Sequence, residues 1–178
     1  YSTYVNVEKI TDALCGVSRP GHFRGVSTVV AKFFNIITPD IAYFGQKDAQ
    51  QAVVIKRMAQ DLNMSVKIKV MPIVRERDRL AMSSRNVYLN PEERKQALSL
   101  YRSLELARCM FDKGERSASK IINRMKREIQ KNPDAKIDYI SIVNADNLAG
   151  LERIKEKALI AIAVLIGKTR LIDNIILK

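Results

Sequence analysis

With 178 residues the chain can bury a real core as one large or two small domains, and no apolar run reaches the ~20 residues that a membrane-spanning helix needs. Cys15 and Cys109 stand far apart, which argues against a disulfide scaffold or a cysteine metal site and fits a reducing, cytoplasmic compartment. The net charge of +12 raises nucleic acid as a partner, but the excess is spread and interleaved with acids, as on solvated helix faces: residues 1–76 carry ten Lys/Arg against six Asp/Glu, and 77–178 carry twenty-one against thirteen.

The first residue is Tyr, so the chain is expected to begin inside something longer. Residues 3–7 read as a short strand and residues 10–14 as a turn of helix stopped by Gly16. Residues 18–25 read as a loop punctuated by Pro20 and Gly21, in which two arginines flank the only histidine, His22. His22 has neither a second histidine nor an acid at short spacing, so a structural role is expected. From Val26 to Ile37, apolar residues at 29, 30, 33, 34 and 37 follow the helical period. Thr38-Pro39-Asp40 ends that helix, and residues 41–44 form a buried strand.

After this strand come a tight turn, Gly45-Gln46-Lys47, and a helix opened by Asp48 with Val53, Val54, Met58 and Leu62 on one face. Strand, glycine turn and helix place Lys47 and the first helical amides at the carboxyl end of a strand, where parallel α/β sheets bind ligands. The same pattern also fits an ordinary turn with Asp48 as the helix cap. Residues 65–74 are the next strand, so these elements predict βαβ units and a parallel sheet. Then comes a basic segment, with Arg75, Arg77, Arg79 and Arg85 around Ser83 and Ser84. Guanidiniums and small hydroxyls on a loop suit an anion with several oxygens, although a solvated basic turn has the same composition.

Asn90-Pro91-Glu92-Glu93 is a helix start. Ala97, Leu100, Tyr101, Leu104, Ala107 and Phe111 form its apolar stripe, closed by Lys113-Gly114. A second helix carries Ile121, Ile122, Met125 and Ile129. Residues 137–143 and 158–166 read as strands, and Gly167-Lys168-Thr169 turns the latter into an antiparallel hairpin with residues 171–177. That turn resembles the tail of a phosphate-binding P-loop but lacks the required glycine spacing and following helix. The expected organisation is α/β for residues 1–76, a hinge and phosphate-binding loop over 77–89, and a small α+β domain over 90–178.

Four stretches carry a resemblance: Arg19-Pro-Gly-His-Phe-Arg-Gly-Val26, residues 39–51, Met82-Ser-Ser-Arg-Asn86 and Arg170-Leu-Ile-Asp-Asn174. In order and spacing the chain resembles the pantoate–β-alanine ligase family. The resemblance implies the C-terminal portion of a Rossmann-like, parallel-sheet nucleotidyltransferase domain followed by an α+β domain with an antiparallel sheet. Met82-Ser83-Ser84-Arg85 is similar to the lysine-methionine-serine-lysine-serine loop of class I aminoacyl-tRNA synthetases, with Arg for the last lysine. The family's N-terminal histidine-x-glycine-histidine motif has no counterpart here, so about half of the site is expected in this chain.

The resemblance implies ligation of pantoate and β-alanine through pantoyl adenylate, with ATP and Mg²⁺. It assigns ATP to Gly45, Gln46, Lys47, Asp48, Val74, Met82, Ser83, Ser84 and Arg85. Catalytic charge neutralisation falls to Lys47, Ser83, Ser84 and Arg85, pantoate binding to Gln51, and no protein metal ligand is assigned. Lys47, Ser83, Ser84 and Arg85 are expected to converge on one pocket. A homodimer is implied, with no nucleic-acid or membrane partner. A basic nucleic-acid-binding module and an inert dimerising fragment are the alternative readings.

Overall fold

The computed structural model describes residues 2–178. They divide into two compact units: residues 2–72 with 146–148, and residues 73–145 with 149–178.

In the first unit, helices α1 (Cys15–Ser18) and α2 (His22–Ile37) precede strand β1 (Ile41–Gly45), a 3-10 turn (Gln46–Asp48), helix α3 (Ala49–Asp61) and strand β2 (Lys67–Met71). β1 and β2 pair in parallel, with Ile41 opposite Lys67 and Gly45 opposite Met71, so β1, α3 and β2 form the expected βαβ unit. On α3 the buried side chains are Ala52, Val54, Ile55, Met58 and Ala59. Leu62 lies just past the helix and is half exposed, outside the face assigned to it.

Four further expectations change in this unit. β1 forms where expected but is not buried, since Ile41 is 38% and Tyr43 59% exposed. Residues 3–7 are not a strand: no strand pairs with them among the described residues, and the Val5 amide donates instead to the Thr28 hydroxyl at 2.9 Å. Residues 10–14 form turns and bends, and the helical turn follows them as α1, running through Gly16. Helix α2 begins at His22, four residues before the apolar period starts, because the Arg19 carbonyl accepts from the His22 amide and Gly21 takes a left-handed φ of 75°. On α2 the buried residues are Phe23, Ser27, Thr28 and Ala31, while Val29, Phe33, Ile36 and Ile37 leave an apolar face exposed.

The second unit is a three-stranded antiparallel sheet, β3 (Ala135–Asn144), β4 (Ala158–Ile166) and β5 (Thr169–Leu177), in the order β3-β4-β5. Helices α4 (Pro91–Asp112) and α5 (Ala118–Ile129) pack against it. Asn90 caps α4 by accepting from the Glu92 and Glu93 amides, and the Glu93 carboxylate returns a bond from the Asn90 amide, a complete capping box. Leu100, Leu104, Ile121, Met125 and Ile129 meet Ile160, Ile162, Val164 and Ile166 in one core. Each such side chain, fully buried, stabilises the fold by ~1.5–3 kcal/mol. β4 and β5 join through a turn in which Gly167 has φ 54°, so the segment resembling a P-loop tail is a hairpin.

Candidate functional site

In the first unit β1 ends at Gly45, where a Cβ would meet no atom within 4 Å, so the protein leaves this backbone open to close approach. The 3-10 turn then delivers Lys47, half-buried, and Asp48 to the start of α3. Asp48 occupies the cap position, yet its carboxylate makes no capping bond and no other hydrogen bond among the described residues. The ordinary capping role therefore does not account for it. Gln51 is half-buried, and its amide makes no hydrogen bond among the described residues.

Its neighbour Gln50 behaves in the opposite way. It is buried, accepts from the Cys15 amide at 3.0 Å, and donates to the carbonyls of Ile10 at 3.0 Å and Ala13 at 2.7 Å. All its hydrogen-bonding power but one lone pair holds the turn before α1 against α3. The sequence signal for it is weak: two adjacent glutamines on a helix point ~100° apart, so one can face inward while the other faces out.

His22, at the first position of α2, meets the Phe23 ring edge-on at a centroid distance of 5.0 Å. Partial burial, seconded by the Arg19 charge, holds its imidazole below the ordinary histidine value, and the Asp48 carboxylate opposes that shift. Arg24 places its guanidinium 4.6 Å from the centre of the Tyr4 ring.

In the second unit the basic segment is a tight excursion. The Met82 amide donates to the Val74 carbonyl at 2.9 Å, the Glu76 amide donates to the Leu80 carbonyl at 2.8 Å, and Arg79 at the tip has φ 76°. Ser83 then caps the 3-10 turn Ser84–Tyr88 by accepting from the Arg85 amide at 3.2 Å. Ser84 and Arg85 are exposed, and the Arg85 guanidinium donates to the Arg170 carbonyl at 3.2 Å. Met82 is more than half exposed.

The four arginines are not equivalent, and the picture of one anion-binding cluster needs correcting. Arg75 makes a two-pronged pair with Asp173 on β5, at 2.7 and 3.0 Å, donates to the Arg79 carbonyl, and stacks on Tyr101 at 4.8 Å. Its charge is neutralised within the protein. Arg77 and Arg79 are exposed, and their side chains make no hydrogen bond or ion pair among the described residues. The segment is braced further by Arg94, which pairs with Glu76 and Asp78, and by Asn86, whose amide donates to Glu76 and to the Ala81 carbonyl.

The terminal motif thus has a structural job that residue type alone hides. Asp173 anchors Arg75, and Arg170 offers its carbonyl to Arg85 while its side chain pairs with Asp138 at 2.7 Å. Asp138 sits where the β3–β4 register shifts, between Ile137 and Tyr139.

A parallel strand–turn–helix–strand unit followed by helices on an antiparallel sheet is the arrangement of the Rossmann-like nucleotidyltransferases with a small second domain. Within that class, the chain belongs to the pantoate–β-alanine ligase family, whose model, described as Pantoate-beta-alanine ligase, matches residues 1–176. It is 56% identical over its full length to the pantothenate synthetase of Moorella thermoacetica and 59% identical to that of Acetivibrio thermocellus, covering 63% of each. The solved pantothenate synthetase of Thermus thermophilus superimposes with a TM-score of 0.93 at 42% identity, over 98% of this chain and 63% of that one. The Francisella tularensis pantoate-beta-alanine ligase, complexed with beta-gamma ATP and beta-alanine, gives 0.70 at 32% identity, over 97% of this chain and 57% of that one. The chain therefore spans less than two thirds of the length of these relatives.

Proposed function

We propose that the protein carrying this chain joins pantoate to β-alanine at the expense of ATP. The observation that carries this reading is the family match over residues 1–176, together with a ligand-facing β1–α3 turn whose Asp48 and Gln51 the fold does not use internally. The pantoate carboxylate attacks the α-phosphorus of ATP, forming pantoyl adenylate and releasing pyrophosphate. The β-alanine amine then attacks the acyl carbon, and AMP leaves as pantothenate forms.

No protein nucleophile is required, so catalysis rests on positioning and charge neutralisation. Lys47 meets phosphate and Asp48 the ribose, while Gly45 and Gln46 bring backbone amides to the nucleotide. Adenine meets the Val74 amide and the Met82 carbonyl, since the Met82 amide and Val74 carbonyl are bonded to each other. Ser83, Ser84 and Arg85 receive phosphate, and Gln51 fixes pantoate as a neutral donor. Mg²⁺ is the counter-ion of the phosphates. A cytoplasmic homodimer completes the reading.

The test is pantoate-dependent exchange of labelled pyrophosphate into ATP. The chain extended to the family's full length is expected to exchange, and the chain alone to exchange at least ~10²-fold more slowly, because lost donors to a developing charge cost ~10²–10³ each. Exchange by the extended protein that ignores pantoate would overturn the proposal.

A further inference from the structure

The 3-10 turn that carries Ser84 and Arg85 is built inside out. Its large apolar side chains, Val87 and Tyr88, are 79% and 72% exposed, while the one side chain it buries is polar, Asn86 at 6%. Apolar burial therefore does not fix this turn. Hydrogen bonds do: apart from the bond of Arg85 to the Arg170 carbonyl, the side-chain bonds that reach beyond the turn and its cap are those of Asn86.

Asn86 closes a ring around the residues assigned to phosphate. Its Nδ2 donates to the Ala81 carbonyl at 3.1 Å and to the Glu76 carboxylate. Its backbone amide donates to the Ser83 carbonyl at 3.0 Å, so Ser83, Ser84 and Arg85 lie on a segment pinned at both ends by one residue. Both partners of the side chain are acceptors, which fixes its orientation: Nδ2 faces them, and Oδ1 is buried with no hydrogen bond among the described residues. Glu76 is held in turn by Arg94 of α4, and its backbone amide donates to the Leu80 carbonyl at 2.8 Å. A helix thus reaches the ring through one carboxylate and one carboxamide. A buried acceptor left unbonded is a cost that an apolar side chain of the same shape would spare, so stability alone does not account for asparagine here.

We propose that Asn86 is a positioning residue for the adenylate-forming step, with Glu76 orienting its amide so that Ser83, Ser84 and Arg85 stand where the phosphates arrive. Asn86 touches no substrate and acts through the backbone of the ring. The inference rests on the ligase reading above and deepens it, because neither Asn86 nor Glu76 is among the residues given to ATP or pantoate.

The chain extended to the family's full length carries the test, read as kcat and KM of pantoate-dependent pyrophosphate exchange. Asn86→Leu, close in shape but without donors, should lower kcat ~10²-fold, the scale of a displacement of about 1 Å. Its KM for pantoate should stay within about twofold, since Gln51 lies outside the ring. Its urea midpoint should stay near the parent's, because the lost bonds are offset by the lost buried acceptor. An asparagine with only a structural role would show the opposite pattern, a lower midpoint with kcat intact. Glu76→Ala should lower kcat about tenfold, as for a lost hydrogen bond to a charged group, and adding it to Asn86→Leu should lower kcat no further. Parental kcat in Asn86→Leu would overturn the proposal, as would losses that multiply in the double variant or a pantoate KM that rises as kcat falls. If Asn86→Leu does not fold, Glu76→Ala decides alone: a tenfold fall in kcat supports the proposal and parental kcat overturns it. Pantoate-dependent exchange that ignores Asn86→Leu breaks this inference and leaves the ligase reading standing. A parent without pantoate-dependent exchange breaks the ligase reading, and equilibrium dialysis of labelled ATP then decides the positioning. Binding about tenfold weaker in Asn86→Leu keeps it, and unchanged binding, or no binding by the parent, overturns it.

Discussion

The two candidate segments, the β1–α3 turn and the basic excursion over residues 74–86, look alike as sequence and differ as structure. Both concentrate polar and charged residues after a strand. In the turn, the side chains of Asp48 and Gln51 make no hydrogen bonds among the described residues, and Gly45 faces open space. In the excursion, Arg75 is spent on Asp173, and Glu76 and Asp78 on Arg94. Charge in a sequence is therefore no measure of charge available to a ligand: a partner can sit in another element, as Asp173 does 98 residues beyond Arg75.

The largest expected effect tests the spent charge. Arg75→Ala strands the carboxylate of Asp173, whose side chain is 2% exposed, and breaking a buried pair from one side costs ~3–5 kcal/mol. Denaturant unfolding should show a matching fall in midpoint. Replacing both partners with apolar residues should recover most of that loss, because the penalty lies in the unpaired charge. If Arg75→Ala unfolds like the parent, the pair does not brace the segment, and the contrast between the two regions collapses.

Lys47→Ala tests the other side. In the chain extended to full family length, pantoate-dependent exchange should fall ~10²–10³-fold, the cost of one donor to developing charge. Asp48→Asn, at an exposed carboxylate that makes no hydrogen bond among the described residues, should change unfolding by less than ~0.5 kcal/mol, as for a surface substitution away from structural features. A stability loss in Asp48→Asn comparable to that of Arg75→Ala would mean that the turn, too, spends the charge of Asp48 internally.

A smaller effect concerns the helix that follows the excursion. Asn90→Ala removes the acceptor for two amides and half of the capping box, and should cost ~1 kcal/mol by chemical denaturation. Asn90→Ser should restore most of it.

These contrasts also explain how much was legible beforehand. The α4 start, the apolar stripes of α4 and α5 and the β4–β5 hairpin were readable because capping, periodicity and turn chemistry are local. The β1–α3–β2 unit was readable for the same reason. Residues 3–7 have strand composition, but a strand exists only with a partner, and here the Val5 amide is taken by Thr28. The start of α2 was missed because His22 and Arg24 carry no apolar period, although Gly21 ahead of them supplied the left-handed turn. The role of Asp173 was invisible because a pairing between distant residues leaves no local pattern. Gln50 was hidden beside the more conspicuous Gln51, since which of two glutamines faces inward depends on what packs against the helix.

The smallest effect separates the two regions by pH. In the second unit, the Asn86 amide, with Arg94 second, holds the Glu76 carboxyl below its ordinary value of 4.5. A depressed carboxyl stabilises the fold fully above 4.5, and that contribution is lost as pH falls through the lower folded value. In the first unit, His22 is held below 6.5 chiefly by burial. The unfolded chain takes up that proton first, so the first unit is at full strength above 6.5 and weakens as pH falls toward the folded value. The protection of α2 amides, corrected for the intrinsic pH dependence of exchange, should therefore fall on acidification below pH 6.5, while that of α4 amides holds until pH passes below 4.5. His22→Gln should remove the upper transition without moving the lower one, and Glu76→Gln should flatten the lower without moving the upper. Both sets of amides loosening together at the upper step would mean that His22 governs the whole chain, and that the two regions cannot be weakened separately.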